Sequence, residues 1–362
     1  MSKKINICLV GGEDSYKRID LSQHLIADNF NVTILGTKQH NFPRNINFIK
    51  YNLNRKFNLI SDFKTIIEYR QIIKKNSFDI IQTFDTKPAF LLPIAAIGLN
   101  TKIVRTITGL GTIFMGNSFK FKIYRFLYKT SHLFIKNKVK HTTFQNEDDR
   151  NYFLTNKLVS KENSSLIYGS GIDLNKINKK AERKNIDFTF LLVARLVYEK
   201  GVINYLEAAK ICKKTGHNFN FLLVGPLEED STKLNKEILN SYKDVVTWVG
   251  PKPDALDYML KADCFVLPTF REGFSRVLLE SSAIGLPMIT TNVPGTREIV
   301  THEKEGLLVN VNNSQELANA MIRLTSDKNL ADKMAINSIK KVKQFSLNVI
   351  SKEYTNLYKN IA

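Results

Sequence analysis

Short apolar runs typical of buried strands alternate along the whole chain with segments that have the apolar periodicity of amphipathic helices. In the first half the predicted strands are Ile5–Val10, Val32–Leu35, Ile80–Gln82, Lys102–Ile107 and His141–Thr143. The predicted helices there are Ser15–Asp28, Phe63–Lys75, Ala89–Gly98, about Ser118–Ile135, and Asp148–Thr155. Such alternation predicts a parallel sheet covered by helices on both faces.

A second series of the same kind follows the polar segment Asn175–Asp187, which has the composition of a linker. Its predicted strands are Phe188–Val193, Phe219–Val224, Val245–Val249, Cys264–Leu267, Met288–Thr290 and Leu307–Val309. Its predicted helices are Val202–Lys213, Leu234–Tyr242, Asp254–Lys261, Arg276–Ile284 and Gln315–Thr325. We therefore expect two doubly wound α/β domains, residues 1–170 and 171–345, that face each other across a cleft. Ligands bind outside the carboxyl ends of such strands, so the cleft is the expected site.

The composition is that of a globular protein of 362 residues, 43% of them hydrophobic and 24% charged. This length suffices for two domains with their own cores, and the apolar content excludes an intrinsically disordered chain. The cysteines Cys8, Cys212 and Cys264 are odd in number and far apart, which argues against a disulfide framework or a zinc site. Cys8 and Cys264 lie in apolar runs and are predicted to be buried. These cysteines fit a reduced, intracellular compartment.

No run reaches the roughly 18 apolar residues of a membrane-spanning helix. The apolar run Ile5–Val10 is too short for a signal peptide. We therefore expect a protein that is soluble or lies against a membrane surface.

The positive charge is concentrated in the first half of the chain. The net charge is +19, and residues 1–170 hold 26 Lys and Arg against 12 Asp and Glu. Between Asp85 and Glu147 no acidic residue occurs, and the predicted helix Ser118–Ile135 interleaves lysines with aromatic rings. A helix of this kind can rest on an anionic membrane surface. Two other interpretations remain: the rings are core and the lysines only solvate the outer face, or the patch binds nucleic acid. The latter is disfavoured because no nucleic-acid-binding module accompanies it.

Two glycine-containing segments follow predicted strands of the first half. Gly11 and Gly12 after the first strand would let a phosphate or a sugar approach the backbone. Gly109 and Gly111, in the segment TITGLG, would present backbone N–H groups. Each pair can equally be a simple turn.

Two charged segments follow strands of the second half. Arg195 and Lys200 bracket a loop that opens the next helix, so both can face one anion at the helix N-terminus. The alternative interpretation is that both residues are surface cations that contact only solvent. Glu272 lies in a loop before Gly273, and Glu280 lies in the following helix. Two carboxylates so placed can accept hydrogen bonds from the hydroxyls of a sugar and a ribose, although each can also be a structural or a solvated acid.

The spacing E-x7-E from Glu272 to Glu280, preceded by VLPT and followed by GLPMITTNVPGTREIV, resembles glycosyltransferase family 4. The segments FLLVG at 221–225 and VTWVG at 246–250 occur in the order of that family. DIIQTFDTKPAFLLPIAA and RTITGLG are similar to members that build bacterial O-antigen, capsule or protein-linked glycans. The resemblance spans nearly the whole chain and is strongest from 188 to 310. It implies a GT-B fold of two Rossmann-like domains, with residues 346–362 as a last helix that crosses back to the N-terminal domain.

The resemblance also implies roles for individual residues. Arg195 and Lys200 would neutralise the donor diphosphate, Glu272 would contact donor-sugar hydroxyls, and Glu280 would bind the ribose. The implied catalytic residues are Glu272, Arg195 and Lys200. The remaining implied contacts are donor contacts from Gly11, Gly12, Gly273, Phe274 and Ser275, and acceptor or loop contacts from Lys87, Thr108 and Gly109. Thr108 stands where many relatives have a histidine.

The expected function is therefore that of a retaining hexosyltransferase at the inner face of the cell membrane. Its donor would be a nucleotide sugar, expected to be UDP-linked, and its acceptor a lipid-linked saccharide of bacterial surface polysaccharide synthesis, such as O-antigen, lipopolysaccharide or capsule. The resemblance implies that no cofactor or divalent metal is needed, and the second half offers no Asp-x-Asp pair. The alternatives are a nucleotide-sugar epimerase of the same architecture and a non-catalytic basic membrane-binding protein.

Overall fold

The computed structural model describes residues 4–54, 56, 58–116, 118–177, 187–228 and 233–362. The chain forms two compact units, of which unit 1 comprises Met1–Asp173 with Ser346–Ala362 and unit 2 comprises Leu174–Phe345. The units thus divide at 173/174, where the sequence places the domain boundary at 170/171. Most of the predicted linker, residues 178–186, lies outside the described residues.

Unit 1 is built on a parallel sheet of seven strands. The strands are β1 (Ile5–Val10), β2 (Phe30–Gly36), β3 (Asn47–Lys50), β4 (Ile80–Thr83), β5 (Lys102–Ile107), β6 (His141–Phe144) and β7 (Ser164–Leu166). The helices are α1 (Ile19–Ala27), α2 (Leu59–Asn76), α3 (Thr86–Ala95), α4 (Phe119–Ile135) and α5 (Glu147–Thr155). The strand order is β3-β2-β1-β4-β5-β6-β7, so the winding direction reverses between β1 and β4.

Unit 2 repeats this plan with six parallel strands. The strands are β8 (Thr189–Val193), β9 (Asn220–Val224), β10 (Thr247–Gly250), β11 (Cys264–Leu267), β12 (Met288–Thr291) and β13 (Gly306–Val309). The helices are α6 (Val202–Lys214), α7 (Lys236–Asn240), α8 (Leu256–Lys261), α9 (Arg276–Ile284), α10 (Ser314–Ser326) and α11 (Lys328–Val342). The order β10-β9-β8-β11-β12-β13 reverses between β8 and β11.

Strand alternation explains how each sheet is covered on both faces. Ile7 and Leu9 of β1 pack into one core of unit 1, whereas Cys8 and Val10 pack into the core on the other face, because successive side chains of a strand point to opposite sides. Cys8 and Cys264 have no exposed surface, which confirms their predicted burial. The parallel, doubly wound α/β class is confirmed in both units.

A last helix, α12 (Leu347–Ile361), completes unit 1. Ile350, Tyr354 and Tyr358 on this helix are buried in the same core as Ile7 and Leu9. The Tyr358 hydroxyl donates to Gln82 Oε1 at 3.2 Å, which joins the helix to β4. Residues distant in sequence thus form one core in unit 1.

We expect the substitution Ile350→Ala to destabilise unit 1. Ile350 is 1% exposed, and removing its side chain leaves a cavity that lowers the free energy of unfolding by about 2–5 kcal/mol. Its neighbour Val349 is 40% exposed, so Val349→Ala should change the free energy of unfolding by less than about 0.5 kcal/mol. Urea titrations of both variants measure the difference, and equal effects would contradict the packing described for α12.

Candidate functional site

The loops that follow β8 and β11 meet at the point where the sheet of unit 2 reverses its winding. Lys200, from the loop after β8, places its Nζ 2.5 Å from Oε1 of Glu272, in the loop after β11. Only 24% of the lysine side chain and 12% of the glutamate side chain are exposed. The structure thus brings together two residues predicted separately as a diphosphate ligand and a sugar ligand.

Backbone contacts fix the two loops to each other. Gly201 has φ +70°, and a Cβ atom there would lie 1.9 Å from the carbonyl oxygen of Pro268. The Phe270 N–H and the Thr269 hydroxyl both donate to the carbonyl oxygen of Glu199, at 2.8 and 3.2 Å. The position of Lys200 relative to Glu272 is therefore set by the main chain on either side of both residues.

A turn after β12 supports the Glu272 loop from the other side. Gly295 has φ +83°, and a Cβ atom there would lie 2.6 Å from the backbone of Glu272. The Glu272 N–H donates to Pro294 O at 3.1 Å, and the Ser275 N–H donates to Gly295 O at 3.2 Å. Sequence-based prediction does not include Gly295, although it lies in the segment GLPMITTNVPGTREIV. A proline-glycine pair after a strand is the signal that could have identified it.

Arg195 forms its ion pair with a residue other than Glu272. Its side chain is 63% exposed, and its Nη1 donates to Oε1 of Glu228. Among the described residues, no hydrogen bond or ion pair joins Arg195 to Lys200 or Glu272. That Arg195 and Lys200 share one anion remains a prediction.

Helix α9 begins directly after the Glu272 loop. Ser275 is its N-cap and is buried, and the helix dipole makes this end favourable for an anion. The ring of Phe274 packs edge-on against Phe345 at 5.2 Å, so its side chain has a packing function and its backbone stays at the helix start together with Gly273. One turn into the helix, Glu280 accepts a hydrogen bond from Arg276 Nε at 3.0 Å and is partly exposed.

In unit 1 the predicted glycines lie at the reversal point between β1 and β4. The Gly12 N–H donates to Asp85 Oδ2 at 2.5 Å, and the Gly11 N–H donates to Leu35 O at 3.0 Å. Asp85 is thereby placed at the carboxyl end of β4, beside the first turn of α3. Sequence-based prediction does not include Asp85, whose only signal is its position directly after an apolar strand.

Lys87 has a structural environment that explains its presence. Its Nζ donates to Asp62 Oδ1 at 2.5 Å and to the carbonyl oxygens of Asn54 and Lys56 at 2.6 and 2.8 Å. All three ammonium protons are thus used to hold the segment before α2 against the start of α3. Thr108 and Gly109 lie in the loop after β5, where Gly109 has φ +131°.

A buried cation lies behind the inner face of α4. Arg105 on β5 is fully buried, donates from Nε to Thr142 Oγ1 at 3.1 Å, and has no hydrogen-bond partner for Nη2. Its Nη1 lies 2.8 Å from Nδ1 of His132, and because arginine can only donate, Nδ1 accepts and the imidazole proton is on Nε2. Burial lowers the pKa of Arg105 to about 10 and holds the pKa of His132 well below its usual value. At neutral pH the guanidinium is charged and the imidazole is not.

Helix α4 exposes much of its apolar surface. His132 and Ile135 face inwards, whereas seven large apolar side chains are exposed: Phe119, Ile123, Tyr124, Phe126, Leu127, Leu133 and Phe134. Four of these side chains are aromatic (Phe119, Tyr124, Phe126 and Phe134), and the interpretation of the rings as core is wrong for these four. Within the described part of the chain, no helix combines the length and apolarity needed to cross a membrane. The same residues contain no cluster of three or more His, Cys, Asp or Glu side chains that could hold a metal ion.

Two family matches lie in tandem along the chain. The family described as "Glycosyl transferases group 1" matches residues 173–341, and "Glycosyl transferase 4-like" matches residues 6–138. Each match coincides with most of one structural unit. Together they confirm the resemblance stated from the sequence and the expectation of an enzyme of the hexosyltransferase type.

Curated relatives resemble the chain over most of its length. The N,N'-diacetylbacillosaminyl-diphospho-undecaprenol alpha-1,3-N-acetylgalactosaminyltransferase of Campylobacter jejuni is 29% identical over 70% of this chain and 69% of its own. The UDP-Gal:alpha-D-GlcNAc-diphosphoundecaprenol alpha-1,3-galactosyltransferase of Escherichia coli is 29% identical over 74% of this chain and 72% of its own.

Solved structures agree with the fold. A glycosyltransferase from Rickettsia africae is similar to 99% of this chain with a TM-score of 0.77 and 20% identity, over 99% of its own chain. The sucrose-phosphate synthase from Thermosynechococcus elongatus is similar to 99% of this chain with a TM-score of 0.79 and 20% identity, over 99% of its own chain. The expected GT-B fold is thus confirmed.

We expect Gly295→Ala to displace the Glu272 loop. The positive φ costs about 1–2 kcal/mol for a residue with a side chain, and the overlap with the Glu272 backbone costs about 1–3 kcal/mol more. Gly216 has φ +85° with open space around its Cβ position, so Gly216→Ala isolates the cost of the backbone conformation. Urea titration gives both stabilities, and titration with UDP measures nucleotide affinity. Weaker UDP binding is expected for Gly295→Ala alone, and equal behaviour of the two variants would contradict the role of this contact.

Proposed function

The two halves of the chain match the glycosyl transferase 4-like family and the glycosyl transferases of group 1, and on that premise we propose that the chain transfers a hexose from a UDP-sugar to a saccharide carried on a polyprenyl diphosphate, with retention at the anomeric carbon. The observation that carries this proposal is the contact of Lys200 with Glu272 at the carboxyl ends of β8 and β11. This is the position at which doubly wound sheets bind nucleotides.

The pair matches the junction between the sugar and the phosphate of a nucleotide sugar. In that donor the sugar and the diphosphate share one bridging oxygen, so groups that bind the two parts must be neighbours. Lys200 can turn a proton towards the diphosphate while Glu272 accepts a hydrogen bond from a sugar hydroxyl. A cation held in place before the reaction stabilises the charge that develops on the departing diphosphate.

Neighbouring elements offer the remaining donor contacts. The N-terminus of α9 favours a phosphate, and Glu280, one turn further on, is partly exposed and can accept hydrogen bonds from the ribose hydroxyls. Arg195 is a second cation for the diphosphate, and binding would require it to exchange Glu228 for phosphate oxygen. With two cations available from side chains, we propose that transfer needs no divalent metal.

Retention is supported by the linkages in the names of the relatives. The Escherichia coli relative is named for a UDP-Gal donor and an alpha-1,3 product, and hexoses of this kind are α-linked in UDP-sugars. Retention in this chain means that the bond from C1 to the diphosphate oxygen breaks while a bond from C1 to the acceptor hydroxyl oxygen forms on the same face. On that face the departing phosphate oxygen lies next to the acceptor hydroxyl and can take its proton.

The acceptor class is proposed from the same relatives together with the surface of unit 1. Both names specify a saccharide on diphosphoundecaprenol, which is a membrane lipid. Helix α4 exposes Phe126 and Phe134 beside Lys120 and Lys122 in a stretch without acidic residues. Such a surface suits contact with an anionic membrane, and we propose that unit 1 attaches there, at the inner face of the cell membrane.

We expect Lys200→Ala and Glu272→Gln each to lower kcat/KM at least about 100-fold, as the loss of a preorganised electrostatic contact does. The matched control is the pair Lys341–Glu305, in which 20% and 9% of the side chains are exposed. Lys341→Ala breaks a comparably buried ion pair away from the reversal point and should leave kcat/KM within a few-fold of wild type. Mass spectrometry detects transfer from a panel of UDP-sugars to a short-chain diphosphate-linked GlcNAc in the presence of EDTA.

The same assay separates the alternatives. NMR of the anomeric proton in the product distinguishes retention from inversion. Conversion of a UDP-sugar in the absence of acceptor would indicate an epimerase. The proposal is contradicted if no sugar of the panel is transferred, or if Lys341→Ala reduces transfer as strongly as Lys200→Ala.

We expect unit 1 to carry membrane attachment. Flotation with vesicles of phosphatidylglycerol and phosphatidylethanolamine should recover the wild type, and phosphatidylcholine vesicles should recover much less, because each lysine near an anionic surface contributes about 1 kcal/mol. The substitution Phe126→Gln combined with Phe134→Gln should reduce flotation. Ile336 on α11 is 54% exposed, and Ile336→Gln is the control that should have no effect. Equal recovery with both types of vesicle would refute anionic-membrane binding.

A further inference from the structure

Unit 1 contains an apolar groove between α2, α3 and α4, and of the residues with an implied role only Lys87 lines it. Its volume is about 430 Å³, within the range of small-ligand sites, which is about 300–1,000 Å³. Most of its lining is carbon, contributed by Leu59, Phe63, Ile66, Phe90, Ile94 and Tyr128. Leu59 and Phe63 are 71% and 64% exposed. An apolar groove of this size is costly to leave in water.

One end of the groove lies at the reversal point of the sheet. Thr86 and Lys87 line this end and form the first turn of α3, directly after Asp85, whose carboxylate binds the Gly12 N–H. Ligands of doubly wound sheets bind at this edge. The groove therefore leads from a polar site at the sheet edge to an apolar wall of exposed side chains.

The charge behind the groove favours an anionic occupant. His132 lines the groove and accepts a hydrogen bond from the buried Arg105. The contacts of Arg105 among the described residues are a hydroxyl, this imidazole and the ring face of Phe153 at 5.6 Å, none of them a carboxylate. Its charge is poorly screened because it is buried. Asp62 also lines the groove, but it is paired with Lys87, so these two residues together add no net charge there.

We propose that this groove binds the first isoprene units of the polyprenyl chain of the acceptor, with the diphosphate at the start of α3. The inference rests on the acceptor class of the proposed function. A polyprenyl diphosphate has the two properties that the groove selects, a long apolar chain and an anionic end. Membrane contact by itself requires only exposed apolar side chains, and α4 provides these outside the groove.

Helix α2 offers a matched pair of variants. Leu59→Gln with Phe63→Gln changes two exposed apolar residues that line the groove. Ile60→Gln with Ile67→Gln changes two residues of the same helix that are 74% and 43% exposed and do not line it. Both double variants remove similar apolar surface from the helix, so a difference between them reports on the groove.

The first measurement is transfer in detergent micelles, without a bilayer, to undecaprenyl-diphosphate-linked GlcNAc and to the same saccharide on a short alkyl diphosphate. The readout is the ratio of kcat/KM for the two acceptors. In the groove variant this ratio should fall about tenfold or more, which corresponds to the loss of about one buried side-chain contact. In the control variant it should equal that of the wild type. Equal ratios in all three proteins would overturn the proposal.

The second measurement does not depend on transfer. Calorimetric titration with farnesyl diphosphate should show binding to the wild type and to the control variant, and binding about tenfold weaker to the groove variant. Inorganic diphosphate should compete poorly. Equal binding of farnesyl diphosphate by all three proteins, or no binding by the wild type, would overturn the proposal.

If the wild type transfers to the short-chain acceptor but shows no preference for the long chain, the groove assignment fails while the proposed function stands. Transfer to neither acceptor overturns both.

Discussion

The contact between Gly295 and the backbone of Glu272 is the constraint on which the candidate site of unit 2 depends. A Cβ atom at Gly295 would lie 2.6 Å from Glu272 backbone atoms, and one at Gly201 would lie 1.9 Å from Pro268 O. Two glycines thus let the loops after β8, β11 and β12 approach more closely than side chains permit. The parallel sheet brings these loops to one edge, but only the close approach holds Lys200 against Glu272 without relying on the ion pair itself.

The ion pair is better explained by binding than by stability. Removing a lysine and a glutamate from water costs about as much free energy as their attraction returns, so a half-buried pair contributes little to folding. Lys87 shows the contrast, because its three protons are taken by Asp62 and two carbonyl oxygens. In the described part of the chain, Lys200 donates to one acceptor, Glu272. Two of its protons therefore stay available for a ligand, which is what a diphosphate requires.

The sequence was sufficient to predict the fold class and the position of the site loops, because both follow from local patterns. Buried parallel strands are continuous apolar runs, and ligand loops follow them. The edge strands β3 and β7 were not predicted, since an edge strand such as Asn47–Lys50 is polar and partly exposed and has no apolar run. Helix α11 was missed for a similar reason, because its buried residues are only Met334, Ser338 and Val342.

The partners of the charged residues could not be predicted. Lys200 and Glu272 are 72 residues apart, and their contact depends on the pairing of β8 with β11 and on two glycine turns. Arg105 reads in the sequence as one more surface cation, and only the packing of α4 over β5 buries it. For the rings of α4 the sequence left both an exposed and a buried interpretation open, because periodicity alone does not tell which face of a helix is covered.

Charge and shape make different contributions in unit 1. The excess of cations in residues 1–170 attracts any anion, whether a membrane surface or a diphosphate, and salt screens this attraction beyond about 10 Å. Such a field increases the rate of encounter but does not select one lipid among many. Selection requires a site whose shape distinguishes lipids, and the groove beside Phe63 and Phe90 has a concave apolar wall, one polar end and a buried guanidinium behind it. In unit 1 the exposed surface of α4 therefore suits attachment, whereas the groove suits the choice of acceptor.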